Sequence, residues 1–319
     1  MMEMEALRKD FLSGKPSICL DFRFWKTRYV QELSALYDRY EAESLFYWAA
    51  EEVSGMPKPR LLAEMGQELD SSQSVRMEKA LSRLQKGEPV QYVFGKAYFA
   101  GLELEVGPGV LIPRPETEEL FLWVLDTLQA MAREGNTWRK EMPCRILDLC
   151  TGSGALALAL ASRLPHAEIW GCDLSSVALD TARRNALNQQ LPVHWFCHDI
   201  LKGVLPDDVV ARGPFQIMVS NPPYVTLSER AQMRSNVLDY EPAMALFVEG
   251  QDPLLYYKAL AKLARSYLQA GGYILLEINE AFPRENQELL RCAGFDDVEV
   301  REDFKGKARM VRARQPLSL

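Results

Sequence analysis

From Cys144 onward, apolar runs of two lengths take turns, and this alternation restricts the fold more than any other property of the chain. Residues 145–149, 168–172, 193–197, 215–219 and 273–278 are short, continuous and rich in strand formers, whereas 155–164, 177–188 and 253–268 carry helical spacing. Short buried strands separated by helices require a mostly parallel sheet covered on both faces, because each crossover lays a helix across the sheet. After a further helix over 284–291, the strands 297–303 and 308–314 are joined only by Phe304-Lys305-Gly306-Lys307. Four residues cannot make a parallel crossover, so this last pair is antiparallel.

Upstream the period changes. Phe24, Trp25, Leu33, Leu36 and Tyr37, then Ala42, Leu45, Phe46, Ala49 and Val53, recur at helical intervals, punctuated by Gly55, Pro57 and Pro59. Ser71-Ser72-Gln73-Ser74 reads as a cap before a helix over 75–85. The result is a small helical bundle with no nucleophile, metal set or phosphate loop. Residues 89–112, with glycines at 95, 101 and 107, read as short strands joined by a turn, and 135–142 as a polar surface loop. Between them, Pro115 sits in the first turn of a long amphipathic helix running through Phe121, Val124, Leu128 and Met131. At 319 residues the chain suits more than one core. The expected division is a helical recognition domain over 1–87, a β-hairpin linker over 88–113 and an α/β catalytic domain over 114–319.

A net charge of −7 argues against a protein whose affinity comes from neutralising phosphates, so no direct nucleic-acid partner is expected. No apolar run approaches the roughly 18 residues of a membrane span, and Met1-Met2-Glu3-Met4-Glu5 lacks a signal-peptide core. The expectation is a cytoplasmic protein, a monomer, with no membrane association. Six scattered cysteines, without a C-x-x-C pair or a spacing matched to His166, His194 and His198, give no metal site. The histidines read as surface or packing residues.

Chemistry-bearing residues collect where strands end. Ser220-Asn221-Pro222-Pro223-Tyr224 follows the run at 215–219; its two prolines fix two φ angles and leave carbonyls that only accept hydrogen bonds. Asn221 adds a side-chain acceptor beside an aromatic ring, a combination suited to holding a planar NH2 group. Asp148-Leu149-Cys150-Thr151-Gly152-Ser153-Gly154 joins the first strand to its helix, without the spacing of a dinucleotide fingerprint. An acid ahead of the glycines suits a cationic ligand, and S-adenosylmethionine is one. Asp173 ends the next strand, where a carboxylate takes ribose hydroxyls, and Asp199 follows the third, placed for an adenine amine.

With these motifs the chain resembles the class I S-adenosylmethionine-dependent methyltransferases, and among them the release-factor glutamine methyltransferases known as PrmC or HemK. The resemblance runs from Gly87-Glu88-Pro89-Val90-Gln91-Tyr92 to the C-terminal end. It is carried by Leu111-Ile112-Pro113-Arg114-Pro115-Glu116-Thr117-Glu118, Asp148 to Gly154, Ser220 to Tyr224, Tyr240-Glu241-Pro242 with Ala245-Leu246, and Leu275-Leu276-Glu277-Ile278. It implies a Rossmann-like class I methyltransferase sheet after a helical domain and a β-hairpin, and methylation of the glutamine in the Gly-Gly-Gln tripeptide of release factors. Asp148, Cys150, Thr151, Gly152, Gly154, Asp173, Leu174, Asp199, Ile200 and Asn221 would then hold S-adenosylmethionine. Asn221, Pro222, Pro223 and Tyr224, with Arg114, Glu116 and Thr117, would meet the substrate, and Asn221, Pro222 and Tyr224 would act in transfer, Tyr224 as one wall of the slot. Two positions depart from the family pattern. Cys150 stands where a glycine is common, which calls for a negative φ with the thiol turned aside, and Pro253 stands in for a second glycine after Gly250. Two other readings are a methyltransferase for an exocyclic amine of a nucleic-acid base and a catalytically silent binding module of the same fold.

Overall fold

The structure is a computed structural model that describes residues 20–135, 143–248 and 250–317. The acidic start and nearly all of the polar loop expected at 135–142 lie outside the described residues. The chain divides between Phe94 and Gly95 into two compact units.

In the first unit α1 (Phe22–Leu33), α2 (Arg39–Ser54), α3 (Lys58–Ala63) and α4 (Ser71–Leu84) surround Trp25, Tyr29, Phe46, Met77 and Leu81, all fully buried. Asp21, Asp38 and Asp70 cap three of these helices, each carboxylate accepting the backbone N–H three residues on, at 2.7–2.9 Å. The cap of α4 is therefore Asp70 and not the serine run that follows it. Gln73 reaches back to the Asp70 N–H and completes a capping box that starts the helix at Ser71. Gly55 closes α2 in the left-handed region, φ 71°. Residues 90–94, expected as strand, form a short helix, α5 (Val90–Phe94). Tyr92 and Val93 both donate to the Pro89 carbonyl, and a proline at the start of a turn favours helical closure.

The second unit opens with an antiparallel hairpin of β1 (Lys96–Phe99) and β2 (Leu102–Glu105). Its two turn residues, Ala100 and Gly101, both have positive φ, as a tight turn matched to strand twist requires. α6 (Pro115–Arg133) has proline at its first turn and Glu116 and Glu118 at its positive end. Then come β3 (Arg145–Leu149), α7 (Ala155–Arg163), β4 (Glu168–Asp173), α8 (Ser176–Gln189), β5 (His194–Cys197), α9 (Asp207–Val210) and β6 (Phe215–Ser220). Two short helices, α10 (Ser235–Tyr240) and α11 (Ala243–Leu246), lead to α12 (Leu255–Tyr267), β7 (Leu268–Glu277), α13 (Pro283–Cys292), β8 (Asp296–Glu302) and β9 (Ala308–Arg314).

The seven strands lie in the order β5-β4-β3-β6-β7-β9-β8. β3 to β7 are mutually parallel, and β9 runs antiparallel to both its neighbours. Alternate residues feed two cores. Ile146, Ile217, Val219 and Leu275 meet α6 and α7, whereas Leu147, Leu149, Met218 and Leu276 meet α12. The chain builds outward from β3 through β4 and β5, then returns to add β6 on the other side. That reversal opens a crevice at the carboxyl ends of β3 and β6.

Candidate active site

Three carboxylates stand at successive strand ends of this crevice. Asp148, near the end of β3, is buried; its Oδ2 accepts from Thr151 Oγ1 at 2.6 Å and from the Ala157 N–H at 3.2 Å. Burial raises its carboxyl to about 7, against the pull of those two bonds. Asp173 closes β4 and accepts the N–H groups of Gly152 and Ser175, each at 2.9 Å; burial raises it too. Asp199 follows β5 and accepts from the Leu201 N–H at 3.0 Å, starting a turn of 3₁₀-helix. All three line one cavity of about 220 Å³, together with Cys150, Thr151, Gly152, Leu174, Ile200, Asn221, Pro223, Arg114 and Thr117.

The turn after β3 corrects the expectation for Cys150. Its φ is 61°, in the left-handed region, and not negative. The neighbouring bonds impose this: Thr151 N–H must reach the Cys172 carbonyl at 2.9 Å while Gly152 N–H reaches Asp173. A side chain there carries about 1–2 kcal/mol of strain relative to glycine. Burial keeps the thiol firmly protonated. The two glycines of the turn serve different ends. A Cβ on Gly152 would meet nothing within 4 Å, whereas one on Gly154 would come within 2.9 Å of Trp195 and 3.1 Å of Ala182. Gly152 leaves room at the cavity; Gly154, which does not line it, lets α7 start close against its neighbours.

The acceptor turn is held from behind. Asn221 Nδ2 donates to Thr117 Oγ1 at 3.1 Å, Thr117 Oγ1 donates to Glu277 Oε2 at 2.6 Å, and the Tyr224 hydroxyl donates to Glu277 Oε1 at 2.8 Å. Glu277 is fully buried at the end of β7. Burial raises its carboxyl, while Thr117, Tyr224 and the Arg309 charge oppose that rise; Glu116 adds to it. Burial, then the charge of Glu277, pushes the Tyr224 hydroxyl far up, so it remains a donor.

The expected substrate residues do not all converge. Arg114, Thr117, Asn221 and Pro223 line the cavity; Pro222 and Tyr224 do not, and Tyr224 directs its hydroxyl at Glu277. Glu116 pairs with Lys305 at 2.6 Å, in the connection between β8 and β9, outside the lining. Arg114 pairs with the buried Glu241 at 2.6 Å, and Glu241 also accepts the Ile112 N–H at 3.1 Å. Neither Glu241 nor Glu277 is among the expected site residues. A glutamate inside an otherwise apolar strand was the available signal for Glu277. His198 is also buried and lines the cavity, and burial depresses its pKa.

This strand order, with acids at three strand ends and Asn-Pro-Pro-Tyr at a fourth, defines a Rossmann-like methyltransferase domain. Residues 146–239 match the family described as "Methyltransferase domain", and 26–95 match "PrmC N-terminal domain". A release factor glutamine methyltransferase of Flavobacterium psychrophilum is 36% identical over 288 residues, covering 90% of this chain and 97% of that one. One of Bacteroides thetaiotaomicron is 38% identical, covering 77% and 83%. The chain belongs to the release factor glutamine methyltransferase family. Among solved structures, the hMettl16 catalytic domain in complex with a MAT2A 3′UTR hairpin shares the fold, with TM-score 0.51 and 15% identity over 77% of this chain and 82% of that one. Among the described residues, no helix is long and apolar enough to cross a membrane.

Proposed function

We propose that this protein transfers a methyl group from S-adenosylmethionine to the side-chain amide nitrogen of the glutamine in the Gly-Gly-Gln segment of peptide-chain release factors. The observation that carries this is the state of Asn221. Thr117 takes its NH2 end, so the side chain offers a guest only its oxygen. An acceptor beside the Pro222 carbonyl suits a planar NH2 group whose two hydrogens are held while its face stays open.

The cavity suits the proposed cofactor. Among the described residues lining it, the only guanidinium or ammonium is that of Arg114, already paired with Glu241. Three carboxylates would repel a pyrophosphate and favour a ligand bearing an ammonium, a sulfonium, ribose hydroxyls and an exocyclic amine. Gly152 leaves open space where such a ligand approaches the backbone. Asp173 would take the ribose hydroxyls and Asp199 the adenine amine, while Asp148, whose protein bonds both fall on Oδ2, keeps Oδ1 for cationic groups. Bound S-adenosylmethionine would supply an electrophilic methyl group, its S–CH3 bond breaking as the N–CH3 bond forms and leaving the neutral sulfide S-adenosylhomocysteine.

An amide nitrogen is a poor nucleophile because its lone pair is delocalised into the carbonyl. Asn221 Oδ1, joined by the Pro222 carbonyl next to it in the turn although Pro222 stands outside the cavity lining, would hold the amide so that its face is aligned for transfer, and alignment contributes up to roughly 7–11 kcal/mol. The same two dipoles meet the positive charge that develops on nitrogen. The proton leaves late, to water.

Mass spectrometry of a release factor incubated with this protein and methyl-labelled S-adenosylmethionine tests the proposal. One methyl group on the glutamine of Gly-Gly-Gln is the expected result. A free Gly-Gly-Gln peptide should be a much poorer substrate, because specific protein recognition buries about 1,200–2,000 Å² and one side chain supplies little of it. The helical unit would provide part of that surface. Methylation of an oligonucleotide with the factor left unmodified would overturn the assignment.

A further inference from the structure

A carboxamide has two ends of nearly equal size and opposite hydrogen-bonding character, and Asn221 is useful only with its oxygen toward the guest. Nothing in the shape of an asparagine enforces that choice. The hydrogen-bond chain behind it does. Glu277, fully buried, receives the hydroxyl of Thr117 on one oxygen and that of Tyr224 on the other. A hydroxyl has one hydrogen, so Thr117, having donated to Glu277 at 2.6 Å, meets Asn221 only as an acceptor. The group it accepts from must be Nδ2, 3.1 Å away. Each bond thus fixes the direction of the next, from a carboxylate on β7, through a threonine on α6, to the turn after β6.

We propose that Glu277 and Thr117 are positioning residues that form a one-way relay, locking the Asn221 carboxamide with its oxygen toward the substrate amide. This rests on the function proposed above, but the orientation itself can be measured without turnover. Thr117 is buried and Asn221 is half-buried, so a flipped amide would press its oxygen against the lone pairs of Thr117. The relay also explains why Tyr224 turns its hydroxyl inward. By donating to Oε1 it leaves Oε2 to Thr117 and keeps Glu277 an acceptor at both oxygens.

The test uses the full chain with Thr117→Val, which keeps the shape and removes the hydroxyl. Thr117→Val leaves Nδ2 facing methyl groups, so nothing holds one end of the amide inward in preference to the other. The rate of methyl transfer at saturation should fall about tenfold or more, the scale set by leaving a buried donor unpaired, with KM for the factor and cofactor affinity within about twofold. Thr117→Ser should recover most of the rate. Glu277→Gln, which can present either end to Thr117, should fall between wild type and Thr117→Val. In protein labelled with ¹⁵N-asparagine, the Asn221 side-chain protons should exchange slowly in wild type and fast in Thr117→Val. Wild-type rate and wild-type exchange in Thr117→Val would overturn the relay, and wild-type rate in Glu277→Gln would remove Glu277 from it. If wild type fails to methylate a release factor while the exchange contrast holds, the substrate assignment fails and the relay stands.

Discussion

The helical unit and the sheet unit use charge in opposite ways. In the first, carboxylates are matched within the unit: Asp21, Asp38 and Asp70 close helix ends, and Glu32 and Glu78 enclose the buried guanidinium of Arg28. Burial works against that charge, but Glu78 and Glu32 more than compensate and hold it. In the sheet unit, Asp148, Asp173 and Glu277 lie buried with their carboxyls raised, Asp148 and Asp173 on a cavity wall and Glu277 behind the acceptor turn. Acids in the first unit complete a fold; these three sit at a cost in folding that a ligand or a reaction can recover.

The largest contrast to test lies between two polar groups of similar size. Asn221→Ala should retain fold and cofactor but lose about 10²–10³ in single-turnover methyl transfer, the scale for removing one group aimed at developing charge. Asp38→Ala should leave transfer untouched and lower stability by about 1 kcal/mol. Methyl transfer at the wild-type rate by Asn221→Ala would dissolve the distinction.

Next in size is the titration of Asp148. Its folded carboxyl, at about 7 against an ordinary 3.8, holds a proton more tightly than the unfolded chain does. Between those values the native state binds the extra proton, so this group's contribution to stability falls as pH rises from about 4 to about 7 and is level above that. The size is on the order of 4 kcal/mol, read as the difference between wild type and Asp148→Asn across that window. A ¹³C carboxyl titration should place the midpoint near 7, and a cationic ligand should pull it down. A midpoint near 4 without ligand would remove Asp148 from the strained set.

Asp173→Ala removes a charged acceptor from the proposed ribose site and should weaken S-adenosylmethionine binding by about 1.5–3 kcal/mol, measured by calorimetry. Unchanged affinity in a folded variant counts directly against that placement.

The smallest effect gives the most direct comparison, because two glycines share a conformation. Gly55 and Gly152 have φ of 71° and 58°, and a Cβ on either meets nothing within 4 Å. Alanine at each should cost about 1–2 kcal/mol of stability. Only Gly152→Ala should also reduce cofactor affinity, because its open space is the cavity. Equal binding by both variants would show that Gly152 leaves room for nothing.

Much of this was legible in the sequence because strands and helices follow burial. The spans 145–149 and 308–314 coincide with β3 and β9, and the antiparallel last pair follows from a four-residue connection. What escaped notice depends on competition between neighbours. Asp70 captures the cap from Ser71 because its carboxylate and Gln73 satisfy two N–H groups reciprocally. Cys150 takes a positive φ because bonds to Cys172 and Asp173 demand it. The partners of Glu277 stand on α6 and after β6, 160 and 53 residues away in sequence. No local pattern announces such a set.

The place of β9 between β7 and β8 has a consequence for how the protein is made. β7 exposes an unpaired edge until residues 308–314 arrive, and β8, translated before them, has no seat in the sheet until they do. A chain emerging from the ribosome can bury β3 to β6 early, but it carries an open, apolar strand edge through the translation of α13 and β8. Glu277 lies on that edge strand, paired across from Met310. Glu277, on which the proposed orientation of Asn221 rests, is therefore enclosed on that side only once β9 has paired with β7.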